Sequence, residues 1–376
     1  MRILIVSDAW HPQINGVVRT LEATSRELQR MGHEVKVVGP DLQSWRSFPA
    51  PSYPSIRLEF FAHGRLQQIM ASFQPDVIHI ATEGPLGWAV RHVCLGQGRP
   101  FTTSYHTRFP EYLAARVRPS WRASVTTTTY ALLRFFHAPS SAVMIATPSI
   151  KRELLQKKFH RLVRWSRGVD TERFQPYGKN VPAYDGLPRP ISLYVGRVAI
   201  EKNIEAFLKA DAPGTKVVIG NGPDLQLLKT SYPHVRFLGA MEDDVLARHY
   251  AAADLFVFPS MTDTFGLVLL EAAASGLRIA SYPAPGPVDI FADPAARNFC
   301  VLHTDLGSAM QRALRLPDNP DAPRSFAEKF SWSVSAQQFY QHLQAPTPGA
   351  VRRVTRLRHW MQRGWQRALR RMGRAR

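Results

Sequence analysis

The sequence predicts an α/β protein of two doubly wound, Rossmann-like domains facing each other across a cleft. Three observations predict it. Short apolar runs alternate with helical periodicity over the first 170 or so residues, the alternation restarts at residue 191, and a Pro/Gly-rich stretch lies between. Strands alternating with helices mean a parallel sheet covered on both faces. The length supports two such units: 376 residues, 45% apolar and 20% charged, exceed what one ordinary core needs.

Ile3-Leu4-Ile5-Val6 is a continuous apolar run, as a strand buried on both faces must be. Asn15-Gly16 breaks the chain. Leu21, Thr24, Leu28 and Met31 then recur at helical spacing up to Gly32, and Val35 to Val38 is the next strand. Similar runs follow at 76–80, 101–105 and 142–146. Pro176, Gly178, Pro182, Gly186, Pro188 and Pro190 mark a linker. The second series runs 191–195, 216–219, 235–238, 255–258 and 277–281. Ser333 to Leu343 reads as a closing helix, followed by Pro346 and Pro348. The expected boundaries are 1–175, a linker 176–190, 191–345 and a tail 346–376. Sheets of this kind bind ligands beyond the carboxyl ends of their strands, so the crevice between domains is the expected active site.

Charge is distributed unevenly. The chain carries net +19: residues 1–180 net +12, residues 181–350 net −3, and residues 351–376 ten Arg with no acid. This excludes an acidic solvating protein and favours an anionic partner, with the first half and the tail against it. Cys94 and Cys300 stand far apart and in no metal spacing, which argues against a disulfide scaffold or a cysteine zinc site and for a reducing cytoplasm. No apolar run spans a bilayer, and Arg2 to Val6 is too short for a signal sequence.

Four segments carry the candidate chemistry. Trp10 to Val17 joins the first strand to the first helix and can offer backbone N–H groups to an anion; it lacks the glycine spacing of a dinucleotide fingerprint. Ser104-Tyr105-His106-Thr107-Arg108 lies past a strand end, where a polar cluster faces the crevice. Tyr194-Val195-Gly196-Arg197 with Glu201-Lys202-Asn203 puts two cations beside a strand tip, an arrangement suited to a diphosphate leaving group. Phe258 to Ala272 holds Asp263, Phe265-Gly266-Leu267 at a helix start, and Glu271. The helix start can bind a phosphate, while Asp263 and Glu271 can accept from sugar hydroxyls. His33, His79 and His234 read as structural.

These segments, with Trp165-Ser166-Arg167-Gly168-Val169-Asp170 and Gly220-Asn221-Gly222-Pro223, resemble glycosyltransferase family 4, and they occur in its order over roughly residues 1–345. The resemblance implies the GT-B fold, an N-terminal acceptor domain and a C-terminal nucleotide-sugar domain. It implies a retaining, metal-independent hexosyltransferase with no cofactor beyond its UDP- or GDP-linked donor. It further implies that Arg197 and Lys202 hold the donor diphosphate and that Glu271 takes the ribose. Asp263 would contact the transferred sugar, Phe265, Gly266 and Leu267 would supply backbone donors, and Gly196, Asn221 and Gly222 would line the donor site. His106 would lie by the reacting centre, and Gly16 between donor phosphate and acceptor. One position departs from the family: the usual Glu is Asp263, one methylene shorter, which alters the reach toward the sugar. Asp243-Asp244 begins a helix and is not a cleft metal motif. Ala81 to Gly87 and Tyr105 to Phe109 resemble the branches that glycosylate membrane lipids, such as diacylglycerol, and related mannosyltransferases.

A membrane role has its own sequence support. Val354, Leu357, Met361, Trp365, Leu369 and Met372 fall on one helical face with Arg on the others, a composition suited to an anionic bilayer surface. With Trp360, they make the tail one candidate contact. Arg116, Arg118, Trp121 and Arg122 make a second. The expected site of action is the inner face of the cytoplasmic membrane, with a lipid acceptor and no nucleic acid. Two alternatives stay open here: a soluble GDP-mannose-type transferase with a saccharide acceptor, and a non-catalytic basic nucleic-acid-binding protein.

Overall fold

The computed structural model describes residues 1–13, 15–50, 53–178 and 181–344. The first lobe is a six-stranded parallel sheet in the order Glu34–Val38, Arg2–Val6, Val77–Ile80, Thr102–Tyr105, Val143–Ile145, Leu162–Arg164. The second is also parallel, in the order Arg236–Gly239, Thr215–Ile219, Ile191–Val195, Leu255–Phe258, Arg278–Ser281, Cys300–Leu302. Every strand expected from the sequence is present. The two edge strands at 162–164 and 300–302 are additions, each three residues long and too short to show a period. The central strands are mostly apolar because both faces are covered, and their polar members His79, Thr102, Thr103, Ser104 and Ser192 are all buried. Leu4 and Val6 pack with Leu86 and Val90 under the helix Pro85–Gln97, whereas Ile3 and Ile5 pack with Leu21 and Leu28 of the helix Gly16–Arg30.

In each sheet the strand order reverses beside its first strand. The loops leaving the reversal points are residues 7–15 and 81–84 in the first lobe and 196–203 and 259–266 in the second. Such switch points open a crevice at the carboxyl edge of a sheet, and these loops carry most of the candidate residues.

The chain passes between the lobes twice, and this amends two expectations. Residues 176–190 are more than a linker: Val181 and Tyr184 are buried in the second lobe's core. The helix Trp332–Gln344 does not close the second lobe. It returns to the first, where Phe339 and Leu343 pack with Ile3, Ile5, Leu21 and Leu28. Trp165 Nε1 donates to Ser335 Oγ at 3.1 Å, and Ser335 Oγ donates to Ser166 O at 2.7 Å. The two passes touch. Val169 N–H donates to Phe330 O at 3.0 Å, and a Cβ on Gly168 would lie 2.4 Å from the Trp332 nitrogen. Gly168→Ala must therefore separate two backbones. It is expected to lower stability by about 1–3 kcal/mol, read as a fall in the thermal midpoint; an unchanged midpoint would contradict the crossing.

Candidate active site

The second lobe supplies two braced loops. Gly196 N–H donates to Ile219 O at 3.0 Å, which fixes the first turn after the strand Ile191–Val195. Asn203 Nδ2 donates to Pro259 O at 3.2 Å and Thr262 Oγ1 to Glu201 O at 3.0 Å, tying 196–203 to 259–266. Within this frame the Lys202 ammonium bonds the Asp263 carboxylate, so two candidate residues meet directly. Arg197 lies 4.0 Å from Glu201. The third loop of this edge is pinned where Val198 N–H donates to Asn221 O at 3.0 Å; Asn221 Oδ1 accepts from Gly222 N–H at 2.8 Å.

Gly266 caps the helix Leu267–Ala274 with φ +97°, a conformation that costs a residue with a Cβ dearly. The turn leaves the first N–H groups of that helix at the cleft edge, as an anion site requires. Phe265 is buried against the core behind it. Glu271, a turn further on, is only 5% exposed. Tyr250 Oη donates to Glu271 Oε2 at 2.9 Å, and Arg19 Nη1 donates to Oε1 at 2.9 Å.

The first lobe contributes His106, which is buried. Arg167 Nη2 lies 3.3 Å from His106 Nδ1. The guanidinium can only donate, so Nδ1 accepts and the proton of the neutral ring sits on Nε2. Nε2 is buried and has no hydrogen-bond partner among the described residues. Burial, with Arg167 and then His79 adding repulsion, holds the imidazole well below its ordinary range, so it stays neutral at pH 7. Arg167 stacks over Trp165 at 4.2 Å and donates to Trp165 O at 2.6 Å; burial pulls it down to about 9. Thr264 Oγ1 of the opposite lobe donates to His106 O at 2.7 Å, setting the Asp263 loop beside the histidine. Gly16 faces Leu267 across the cleft, a Cβ there lying 3.8 Å from Leu267 Cδ1. His79 is structural, as read, bonded to Thr102 and Ser104.

Asp8 was not singled out in the sequence. Its carboxylate accepts from Thr82 Oγ1, Leu86 N–H and Gly87 N–H, anchoring the helix Pro85–Gln97 to the first strand's end. Burial outweighs those bonds and pushes its carboxyl up to about 6. The folded protein therefore holds a proton that the unfolded chain has lost between pH 4 and 6, and stability falls as pH rises through that window, by about 3 kcal/mol in all. Asp8→Asn should remove this slope. Denaturant melts should show the variant gaining on the wild type from pH 4 to 7; a constant gap would refute the assignment.

Arg116 is corrected. It was expected at a membrane surface, but its guanidinium lies over the Tyr112 ring at 3.7 Å and reaches across the cleft to Glu201 at 2.8 Å. A carboxylate in the opposite lobe offers it a better partner than solvent does. Arg118, Trp121 and Arg122 are exposed, as a surface role requires. Trp360 and Trp365, with the whole tail, lie outside the described residues. Sequence reasoning also missed Arg19 and Tyr250, quoted Glu201 without giving it the cross-cleft partner it has in Arg116, and missed a group of aromatics: Trp45 is 77% and Phe61 79% exposed, and Phe48 and Phe60 are exposed as well. No described helix is long and apolar enough to cross a membrane.

Two doubly wound lobes presenting their loops to one crevice are the GT-B architecture of glycosyltransferases, and the chain superposes on sucrose-phosphate synthase from Thermosynechococcus elongatus with TM-score 0.68 at 19% identity, covering 96% of this chain and 99% of that one. The chain belongs to glycosyltransferase family 4: residues 14–173 match the model described as Glycosyltransferase Family 4, and residues 186–330 match Glycosyl transferases group 1. It is 30% identical to a GDP-mannose-dependent alpha-mannosyltransferase of Mycolicibacterium smegmatis over 78% of this chain and 82% of that protein. It is 30% identical to the sulfoquinovosyl transferase SQD2 of Arabidopsis thaliana over 76% of this chain, spanning 60% of the plant protein. It is 26% identical to the alpha-monoglucosyldiacylglycerol synthase of Streptococcus pneumoniae over 90% of this chain and 83% of that one.

Proposed function

We propose that the protein is a retaining glycosyltransferase that moves a hexosyl group from a UDP- or GDP-linked donor to a membrane lipid such as diacylglycerol. One observation carries the donor half of this reading: Arg197, Lys202, Asp263, the Gly266 helix start and Glu271 line one crevice edge on mutually braced loops. Arg197 and Lys202 neutralise the diphosphate as it leaves, without a metal. Lys202 exchanges its bond with Asp263 for the phosphate, which releases the Asp263 carboxylate to the sugar hydroxyls. The N–H groups after Gly266 take a phosphate oxygen, and Glu271 takes the ribose. Neutral His106 donates from Nε2 to the sugar or the acceptor near the breaking bond. The family's front-face course, in which the departing diphosphate helps to take the acceptor proton, is adopted on family grounds.

The acceptor half draws support from the lipid-glycosylating relative named above and from the surface of the first lobe. Trp45, Phe48, Phe60 and Phe61 are grouped in the stretch that follows the edge strand Glu34–Val38 and leaves the same sheet edge as the cleft loops. Aromatic side chains with neighbouring Arg suit a membrane–water interface, and Arg46 lies 5.1 Å from the Trp45 ring. Trp121, 65% exposed, and the outward Leu132 and Phe135 are further exposed apolar side chains of the same lobe. The first half's net +12 adds attraction to anionic lipid, and the expected site of action is the inner face of the cytoplasmic membrane. The test is a radiolabelled donor panel of UDP-glucose, UDP-galactose, UDP-glucuronate and GDP-mannose with diacylglycerol in anionic vesicles. Label entering chloroform is expected from one donor; label confined to water-soluble saccharide would favour a saccharide acceptor. Trp45→Ala/Phe61→Ala is expected to weaken binding to phosphatidylglycerol vesicles by about tenfold. Undiminished vesicle binding would remove this patch from the membrane contact.

A further inference from the structure

The helix Gly16–Arg30 of the first lobe approaches the helix Leu267–Ala274 of the second at two places. Gly16 faces Leu267, and Arg19, one turn later, bonds Glu271, also one turn later. The first helix is held in register by its cap: Asn15 Oδ1 accepts from Val17 N–H at 2.9 Å and Val18 N–H at 3.1 Å. Val18 and Leu21 are buried in the first lobe, leaving Arg19 to cross the cleft. At the other end, Glu271 is a buried carboxylate, which is costly unless compensated by donors. Its two oxygens accept from opposite sides of the cleft: Oε2 from Tyr250 of its own lobe and Oε1 from Arg19 of the other, both at 2.9 Å. Tyr250 is fully buried and its phenol is pushed well above its ordinary value by burial, so it remains a donor.

A carboxylate oxygen can accept more than one hydrogen bond. A ribose diol can therefore bridge the two oxygens while Tyr250 and Arg19 stay in place. Under this geometry Arg19 does not compete with the nucleotide. It fixes the carboxylate's orientation, and it does so only when the lobes are together. We propose that Arg19 is a positioning residue for the donor ribose, acting through Glu271, so that ribose recognition belongs to the closed cleft and not to the second lobe alone. This rests on the reading of Glu271 as the ribose ligand.

The test measures affinities of UDP and GDP, each beside its 2′,3′-dideoxy counterpart, for the full chain and for Arg19→Ala, Arg19→Lys, Glu271→Ala and the Arg19→Ala/Glu271→Ala double variant. The wild type should prefer the ribose form of whichever nucleotide it binds. Arg19→Ala should weaken that form about tenfold, the worth of one charge-assisted bond, and leave the dideoxy form within about twofold. Arg19→Lys should recover part of the loss, and the double variant should bind no more weakly than Glu271→Ala. Tighter ribose-form binding by Arg19→Ala would make the arginine a competitor and overturn the proposal. Equal weakening of ribose and dideoxy forms would reduce it to general electrostatics and overturn it too. If Glu271→Ala keeps the full ribose preference, the ribose assignment of Glu271 itself fails, and the Arg19 proposal with it.

Discussion

Lys202→Ala is expected to lower transfer by about 10²–10³-fold. The ammonium stands on a 3-10 turn, Ile200–Lys202, whose Glu201 carbonyl accepts from Thr262 Oγ1 and whose next residue, Asn203, donates to Pro259 O. Under the proposed reading it already stands where a diphosphate gathers charge as the glycosidic bond breaks, and little reorganisation is needed during the reaction. Its removal also strips Asp263 of a direct partner. The loss should fall mainly on kcat, because leaving-group charge is greatest in the transition state. Arg197→Ala should act in the same direction. Full activity in both variants would show that the diphosphate lies elsewhere.

The second large effect is expected at His106. His106→Ala should cost about 10²-fold in kcat and change donor affinity by less than about threefold, because the side chain sits on the opposite lobe from the proposed diphosphate and ribose ligands. The pH profile is the sharper readout. With Nδ1 accepting from Arg167 and the ring held neutral, His106 does not gain a proton near pH 6.5. Wild-type activity should therefore show no histidine limb as pH falls from 8 to 6. Arg167→Leu removes the first-named repulsive charge, so it should raise the imidazole toward its ordinary range and bring such a limb nearer. A wild-type limb at pH 6.5 that disappears in His106→Ala would contradict the neutral-donor role.

Most of the fold was legible because a parallel strand covered on both sides is mostly apolar. The runs at 3–6, 191–195 and 255–258 could hardly be anything else. What chain order concealed was assignment in space. The periodicity of 333–343 shows that one face is buried, but not against which lobe, and only the structure brings Phe339 onto Ile3 and Ile5. The loops proposed to hold the donor drew notice because glycine, cations and carboxylates cluster within short segments at strand ends. Arg19 was silent for the opposite reason: its partner lies 252 residues away, and a single arginine on a surface helix looks like any solvated charge. Arg116 misled by the same rule, since a basic, aromatic stretch reads as a membrane contact until Glu201 is seen beneath it. The exposed aromatics at 45–61 sit on and beside a two-stranded antiparallel hairpin, Ser47–Ala50 with Tyr53–Glu59, which lies outside both parallel sheets and which the sequence reading did not propose.

The most direct measurement is a crystal structure of the chain with a bound nucleoside diphosphate. The diphosphate should lie against Arg197 and Lys202, with the ribose hydroxyls on Glu271 and a phosphate oxygen at the helix start after Gly266. Phosphates bound away from those two cations, or a ribose remote from Glu271, would contradict it.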